Sequence, residues 1–327
     1  MTPSVRWGLL GTAHINRRLI PAMRTARRSV IAAVASRDVE RARRYAEEWQ
    51  IPTAHDRYDA LLHDSSVDAV YVPLPNALHV EWTLRSLDAG KHVLCEKPLA
   101  LTADDVDRIA AVAQARERVV VEAFMYRHEP LIPRLLEFLR NGGIGSLTHI
   151  SSGFTFQQHR QGDVRLDPAL GGGSLWDVGC YAVSIARLVA ASEPQEAFGW
   201  TSLCSTGVDE TFTGLLRFAE PLTATVHCSF RSPYRTWLEI DGREGWLRVS
   251  DPFKPSSRVD IEVHRDDGRE TIAVEGSPAL FVRQIEDFVA AVLDGRSPTV
   301  SLAESRGNAA AVSALYASSR TGRPVAI

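Results

Sequence analysis

The chain has 327 residues, 45% of them hydrophobic and 24% charged, with a net charge of −3 at neutral pH. These are globular proportions with length enough for two cores, which excludes a disordered chain. The missing basic excess sets nucleic acid and anionic membrane surfaces aside as partners. No apolar run approaches the roughly 20 residues of a membrane span, and MTPSVRWGLL lacks the basic start and long apolar stretch of a signal peptide. Cys95, Cys180, Cys204 and Cys228 are scattered without a CxxC pair and read as small buried hydrophobes in a reducing compartment. His55, His63, His128, His149, His159, His227 and His264 show no ligand spacing, so no metal is expected. The expectation is a cytoplasmic protein.

The first third alternates short apolar runs with helical patterns. Val5 to Leu10 reads as a strand, His14 to Arg24 as a helix and Val30 to Ser36 as a second strand. Asp38 to Trp49 puts Ala42, Tyr45, Ala46 and Trp49 on one helix face. Val67 to Val72, His92 to Cys95 and Val119 to Glu122 follow as strands three, four and five, with a helix over Asn76 to Leu87 and another opened by a Thr102/Asp105 capping pair. Strands this apolar, alternating with helices, imply a doubly wound parallel sheet covered on both faces. After Ala123 the rhythm changes. One helix, Leu131 to Arg140, leads into period-two segments: Ile150/Phe154/Phe156, Phe212/Leu216/Phe218, Leu222 to Phe230, and Val259/Ile261/Val263. That alternation belongs to a mostly antiparallel open sheet with one face buried against helices. Phe281, Ile285, Phe288 and Val292 stripe a helix that Gly295 stops, and Ser301 with Glu304 opens the last one. The expected organisation is an α/β domain over 1–123 and an α+β domain over 124–327, with the final helix, 301–318, packing back on the first domain.

Between the first strand and its helix stands GLLGTAHIN, where a dinucleotide turn belongs. Against the G-x-G-x-x-G template only Gly11 survives; Ala13 and Asn16 replace the later glycines, with His14 between them. Gly11 can take the sharp turn, Ala13 still permits a close backbone approach, and the helix N-terminus offers free N–H groups to a pyrophosphate. The second strand ends in Ser36 and Arg37 rather than in the acid that bonds a ribose 2′-hydroxyl. A hydroxyl and a guanidinium suit a 2′-phosphate, and Asp38 should turn toward its own helix amides. NADP(H) is therefore favoured over NAD(H).

In an open parallel sheet ligands gather beyond the carboxyl ends of the strands at the switch point. With strand four beside strand one, Lys97 in HVLCEKPLA should face the nicotinamide half of the cofactor. Pro98 locks the backbone behind it and is a candidate for a cis bond. In GGGSLWDVGCY, Asp177 and Tyr181 are four apart and share a helix face. A phenol is a weak base until a nearby cation stabilises its anion.

On WGLLGTAHI, VASRD, VPLPNALHVEWTLRSLDAGKHVLCEKPLA, EAFMYR, RLDPALGGGSLWDVGCYAV and ALYASSRTGRPV, nearly the full length resembles the glucose–fructose oxidoreductase/inositol dehydrogenase (Gfo/Idh/MocA) family. Within it the motifs look most like the NADP-dependent D-xylose dehydrogenases and dihydrodiol dehydrogenases, and are similar to sugar-nucleotide ketoreductases. The resemblance implies a Rossmann domain followed by a substrate and oligomerisation domain. It makes Lys97, Tyr181 and Asp177 the catalytic set and puts Arg165 near cofactor or substrate. Trp176, by type a core or interface ring, is a candidate substrate contact through its place beside Asp177. Cofactor contacts fall on Gly11, Thr12, Ala13, His14, Ile15, Ser36, Arg37, Leu74, Asn76, His79, Glu96, Lys97 and Arg165. The implied reaction is hydride transfer between a nicotinamide and a carbinol or ketone carbon of a sugar, polyol or cyclic diol, by a homodimer or homotetramer. Two alternatives are a glycosidase that oxidises its substrate transiently and a non-catalytic redox-sensing dinucleotide-binding protein.

Overall fold

The computed structural model describes residues 3–158, 160, 162–255, 257–276 and 280–327; His159 of the histidine series lies outside them. Two compact units emerge, Met1–His128 with Ala279–Arg306 and Glu129–Pro278 with Gly307–Ile327. Where a single boundary after residue 123 was expected, the chain re-enters the first unit for the segment ending at Arg306.

The first unit is built on a six-stranded parallel sheet of β1 (Val5–Leu10), β2 (Ser29–Ala35), β3 (Thr53–His55), β4 (Ala69–Val72), β5 (His92–Cys95) and β6 (Val120–Glu122). Their order is β3-β2-β1-β4-β5-β6, the doubly wound arrangement whose strand order reverses between β1 and β4. Trp7, Leu9, Val34, Val70 and Leu94 are all fully buried, as strands covered on both faces require. Phe288, from the returning helix Leu280–Asp294, packs on Trp7 with ring centroids 4.8 Å apart. Both anticipated caps form. Thr102 Oγ1 accepts the Asp105 N–H at 3.1 Å, and Ser301 Oγ accepts that of Glu304 at 3.2 Å.

Two details differ from expectation. β3 and the short helix Tyr58–Leu62 follow the second long helix, where no element was anticipated. Three half-buried residues at a sheet edge carry no readable period. In consequence the strand beside β1 is β4, not His92–Cys95, which pairs with β4 and β6. Lys97 thus stands one strand further from β1 than the count of five strands placed it.

His92, at the start of β5, accepts the Val119 N–H on Nδ1 at 3.0 Å, and burial depresses its pKa to about 4. The neutral ring is therefore the folded form, and its contribution to stability is complete above the unfolded value of 6.5 and lost as pH falls toward 4. The melting temperature should fall across that window. His92→Asn, which keeps an uncharged acceptor for Val119, should flatten part of the fall; an unchanged pH slope by calorimetry would count against this account.

The second unit holds a nine-stranded sheet: β7 (Leu147–Thr155), β8 (Glu196–Leu203), β9 (Asp209–Arg217), β10 (Thr223–Ser229), β11 (Arg235–Gly242), β12 (Gly245–Ser250), β13 (Arg258–Arg265), β14 (Gly268–Glu275) and β15 (Val325–Ala326). Its order is β14-β13-β12-β11-β7-β10-β9-β8-β15, antiparallel throughout except for the parallel β7/β10 pair. Ile150, Phe212, Leu216, Val226, Ile261 and Val263 turn to the buried face as the alternation predicts. The helix Cys180–Ala190 covers β7 and β10. Among the described residues no helix is long and apolar enough to cross a membrane.

Candidate active site

In the first unit the turn after β1 is tied by its own backbone and by one side chain. Gly11 takes φ +111°, a conformation that L side chains rarely adopt, and donates its N–H to Ala35 O at 2.9 Å. Asn16, which replaces the template's third glycine, is fully buried and donates from Nδ2 to Gly11 O at 2.9 Å. Thr12, Ala13 and His14 then line a cleft with Arg17 from the helix that follows and with Arg41, Arg44, Tyr45 and Glu48 from the helix Val39–Glu48, Glu48 pairing with Arg17 at 3.6 Å.

At the end of β2, Ser36 is buried and its Oγ accepts the Asp38 N–H at 3.3 Å, while Arg37 is exposed. Arg37 meets the Tyr58 hydroxyl, whose pKa burial pushes up. The Asp38 carboxylate accepts the Arg41 N–H at 3.0 Å and caps its helix. This holds its pKa below the usual carboxylate range, so the nearest acid is directed at the helix. Arg41 and Arg44 lie three apart on the helix that Asp38 caps, with Arg37 just ahead of the cap; the sequence displays all three, but only Arg37 stands out in it as a cofactor residue.

The loop after β5 is pinned from three directions. Tyr71 donates to Glu96 Oε1 at 2.6 Å, and Leu99 N–H donates to Glu122 Oε1 at 2.9 Å. The two ring nitrogens of His79 lie 2.7 Å from Pro98 O and 2.7 Å from Leu74 O. His79 is fully buried, and desolvation lowers its pKa. The Lys97–Pro98 peptide is cis. Lys97 is half-buried at this fixed corner, with Leu74 and Asn76 in the neighbouring loop. The pinning explains why an acid and a proline flank the lysine: each side of it is bonded to a different strand or helix.

In the second unit the helical stretch carrying Asp177 and Tyr181 begins with a π-turn, Leu175–Gly179, and continues as Cys180–Ala190. π-turns concentrate at functional sites. The preceding glycines permit a close crossing: a Cβ on Gly172 would lie 2.5 Å from Arg165 O and 2.8 Å from Asp167 O. That crossing brings Arg165 to Asp177, with Nε donating to Oδ2 at 2.7 Å, and the Asp177 charge raises the Arg165 pKa. Arg165 also reaches Asp163 at 3.3 Å. Tyr181 is 5% exposed, its ring 5.7 Å from Phe154 and 5.3 Å from Phe253. Trp176 is 8% exposed and rests on Tyr316 at 5.6 Å.

Residues 5–124 match the model of an oxidoreductase family with an NAD-binding Rossmann fold, and residues 132–248 match the GFO/IDH/MocA C-terminal domain. Over 322 residues the chain is 37% identical to D-xylose 1-dehydrogenase (NADP(+)) 2 of Haloferax volcanii, covering 98% of each. The chain belongs to the GFO/IDH/MocA family. Another relative, dTDP-3,4-didehydro-2,6-dideoxy-alpha-D-glucose 3-reductase of Actinomadura kijaniata, is 34% identical, over 97% of this chain and 96% of its own. A 3-ketoreductase from Actinomadura kijaniata, solved with NADP and TDP-benzene, superposes with a TM-score of 0.92 at 32% identity, covering 96% of this chain and 98% of that one. The aldose-aldose oxidoreductase of Caulobacter crescentus, complexed with glycerol, gives 0.90 at 26%, over 99% and 100%. As a GFO/IDH/MocA protein the chain is an NAD(P)-dependent oxidoreductase.

Proposed function

We propose that the protein transfers a hydride between NADP(H) and a carbinol or ketone carbon of a sugar or polyol. The observation that carries the cofactor half is the end of β2: Ser36 and Arg37 stand there while Asp38 is committed to its helix cap. Arg41 and Arg44, in the adjoining cleft, add positive charge that suits a 2′-phosphate, and the one acid lining that cleft, Glu48, is paired with Arg17 at 3.6 Å. Gly11, Thr12, Ala13, His14 and Ile15 would hold the pyrophosphate, and Leu74, Asn76 and Glu96 would line the approach to the nicotinamide. His79, expected among these contacts, is instead fully buried with both ring nitrogens at backbone carbonyls and supports the corner from behind. NADP(H), when bound, supplies or accepts the hydride.

The chain's own groups handle the proton and the substrate. We assign Tyr181 as the group that gives or takes the proton of the reacting oxygen, and Lys97 as the cation that holds that oxygen and stabilises the phenolate. Asp177, paired with Arg165, orients a neighbouring substrate hydroxyl, and Trp176 backs that contact. Two further observations support the assignment. The Actinomadura kijaniata 3-ketoreductase has been solved with one lysine replaced by alanine or glutamate and with one tyrosine replaced by phenylalanine. Those two positions lie as far apart in that chain as Lys97 and Tyr181 do in this one. Sugar substrates are named for both groups of curated relatives above.

The purified protein should reduce NADP⁺ with at least one member of a panel of aldoses, inositols and diols, or consume NADPH with a keto-sugar. Net appearance or loss of reduced nicotinamide is the readout. Glycoside cleavage with no net change in that signal would overturn the dehydrogenase reading in favour of transient oxidation.

A further inference from the structure

Asp209 opens β9 in the second unit and is 2% exposed, yet nothing in the proton chemistry above employs it. Three donors converge on its carboxylate. Ser174 Oγ and the Leu175 N–H both reach Oδ2 at 2.7 Å, and the Tyr316 hydroxyl reaches Oδ1 at 2.6 Å. Leu175 is the first residue of the π-turn, so the first free N–H of the helical stretch bearing Asp177 and Tyr181 is bonded to a carboxylate from a distant strand. Ser174 makes no cap of its own; its hydroxyl is turned to Asp209 instead. A buried negative charge at a helix N-terminus is favourably placed against the helix dipole. Burial raises the Asp209 pKa while its three donors oppose that rise, and the Tyr316 pKa is pushed well up by its own burial.

Packing ties the same group to the glycine run. A Cβ on Gly173 would stand 2.2 Å from Asp209 Oδ1 and 2.7 Å from the Tyr316 oxygen. Tyr316 in turn supports the Trp176 ring, whose residue precedes Asp177. The π-turn itself shows in the Cys180 N–H, which reaches back to Leu175 O, one residue beyond an α-helical bond. The start of that wider loop is fixed from outside, by the Asp209 carboxylate on the Leu175 N–H.

We propose that Asp209, clamped by Tyr316, is a positioning residue that locks the π-register of Leu175–Gly179 and thereby aims Asp177 and Tyr181. Released from the carboxylate, Leu175 can slip toward an α-helical register, which turns Asp177 about the helix axis relative to Tyr181. The inference rests on the assignment of Tyr181 and Asp177 to the reaction.

The test compares Asp209→Ala, Asp209→Asn and Tyr316→Phe with wild type and with Tyr181→Phe. Asp209→Ala should lose about 10²-fold in kcat, the scale of a misaimed reacting group, while the NADPH dissociation constant, read by fluorescence, stays within about twofold. The limb of the kcat/KM pH profile assigned to Tyr181 should move as well. Asp209→Asn, which still offers an acceptor to Leu175 and Ser174, should recover most of the loss, and Tyr316→Phe should fall between them. Wild-type kcat in Asp209→Ala overturns the proposal, as does a loss that vanishes when the assay is cooled well below the variant's melting point. If Asp209→Ala does not fold, the double variant Ser174→Ala, Tyr316→Phe removes two of the three bonds, and wild-type kcat there overturns it equally. An inactive Tyr181→Phe beside a normal Asp209→Ala sinks this inference alone. A fully active Tyr181→Phe sinks the functional assignment beneath it.

Discussion

Lys97→Met should lower kcat by about 10²–10⁴-fold, the usual worth of positioned proton transfer, with NADPH affinity little changed. Methionine retains the length and apolar stem of lysine and removes only the cation. The corner itself should survive, because its anchors belong to other residues: Tyr71 on Glu96, Glu122 on Leu99 N–H, and His79 between Pro98 O and Leu74 O. A loss in kcat with an unmoved cofactor affinity therefore separates chemistry from folding. Tyr181→Phe should cost a similar factor, since the ring stays packed on Phe154 and Phe253 and only the hydroxyl goes. If both side chains serve one oxygen, the double variant should be scarcely worse than either single one, the non-additivity expected of groups that act as a unit. Steady-state kinetics on the best substrate of the panel decide the matter. Wild-type turnover in either variant would remove that residue from the mechanism.

Arg37→Asp should reverse the cofactor preference. Exchanging a guanidinium for a carboxylate beside a 2′-phosphate forfeits charge-assisted hydrogen bonds of about 1.5–3 kcal/mol, and repulsion adds to the loss. The ratio of kcat/KM for NADP⁺ over NAD⁺ should therefore fall by at least about tenfold, and toward about 10²-fold with the repulsion, given tenfold for each 1.4 kcal/mol. The new acid would also offer the 2′-hydroxyl of NAD⁺ the acceptor that Asp38, spent on Arg41 N–H, does not. Arg41 and Arg44 remain in the cleft and should keep some NADP⁺ binding. Initial rates with the two cofactors at fixed substrate measure the shift, and an unmoved ratio would place the phosphate elsewhere.

The legible parts of the chain were those where one physical demand dominates. Strands buried on both faces must be apolar throughout, so β1, β2, β4 and β5 stood out. A sheet with one dry face must alternate, and Phe212, Leu216 and Phe218 did. Asp38, Thr102 and Ser301 announced their helix starts because a free N–H needs an acceptor within reach. What went unread is long-range or too short to carry a period. β3 has three edge residues, and overlooking it displaced the count of strands that located Lys97. The π-turn leaves no mark in DVGCY, because one extra residue in a loop of hydrogen bonds changes no residue type. Asp209 lies 32 positions beyond Asp177 and reads as an ordinary first residue of a strand until folding brings Leu175 to it. Arg41 and Arg44 were visible at helical spacing but indistinguishable from a solvated face without the turn they accompany.

The amide of Asn16 has a consequence for how such loops are sought. Searches of sequence for three spaced glycines treat that position as a place where bulk is forbidden, yet here a larger polar group fills it and fastens the bend to itself. Tolerance at that point depends on whether the incoming group can bond the carbonyl it faces, so chemistry rather than size sets the limit, and fingerprints counted in glycines alone will pass over working nucleotide loops of this kind.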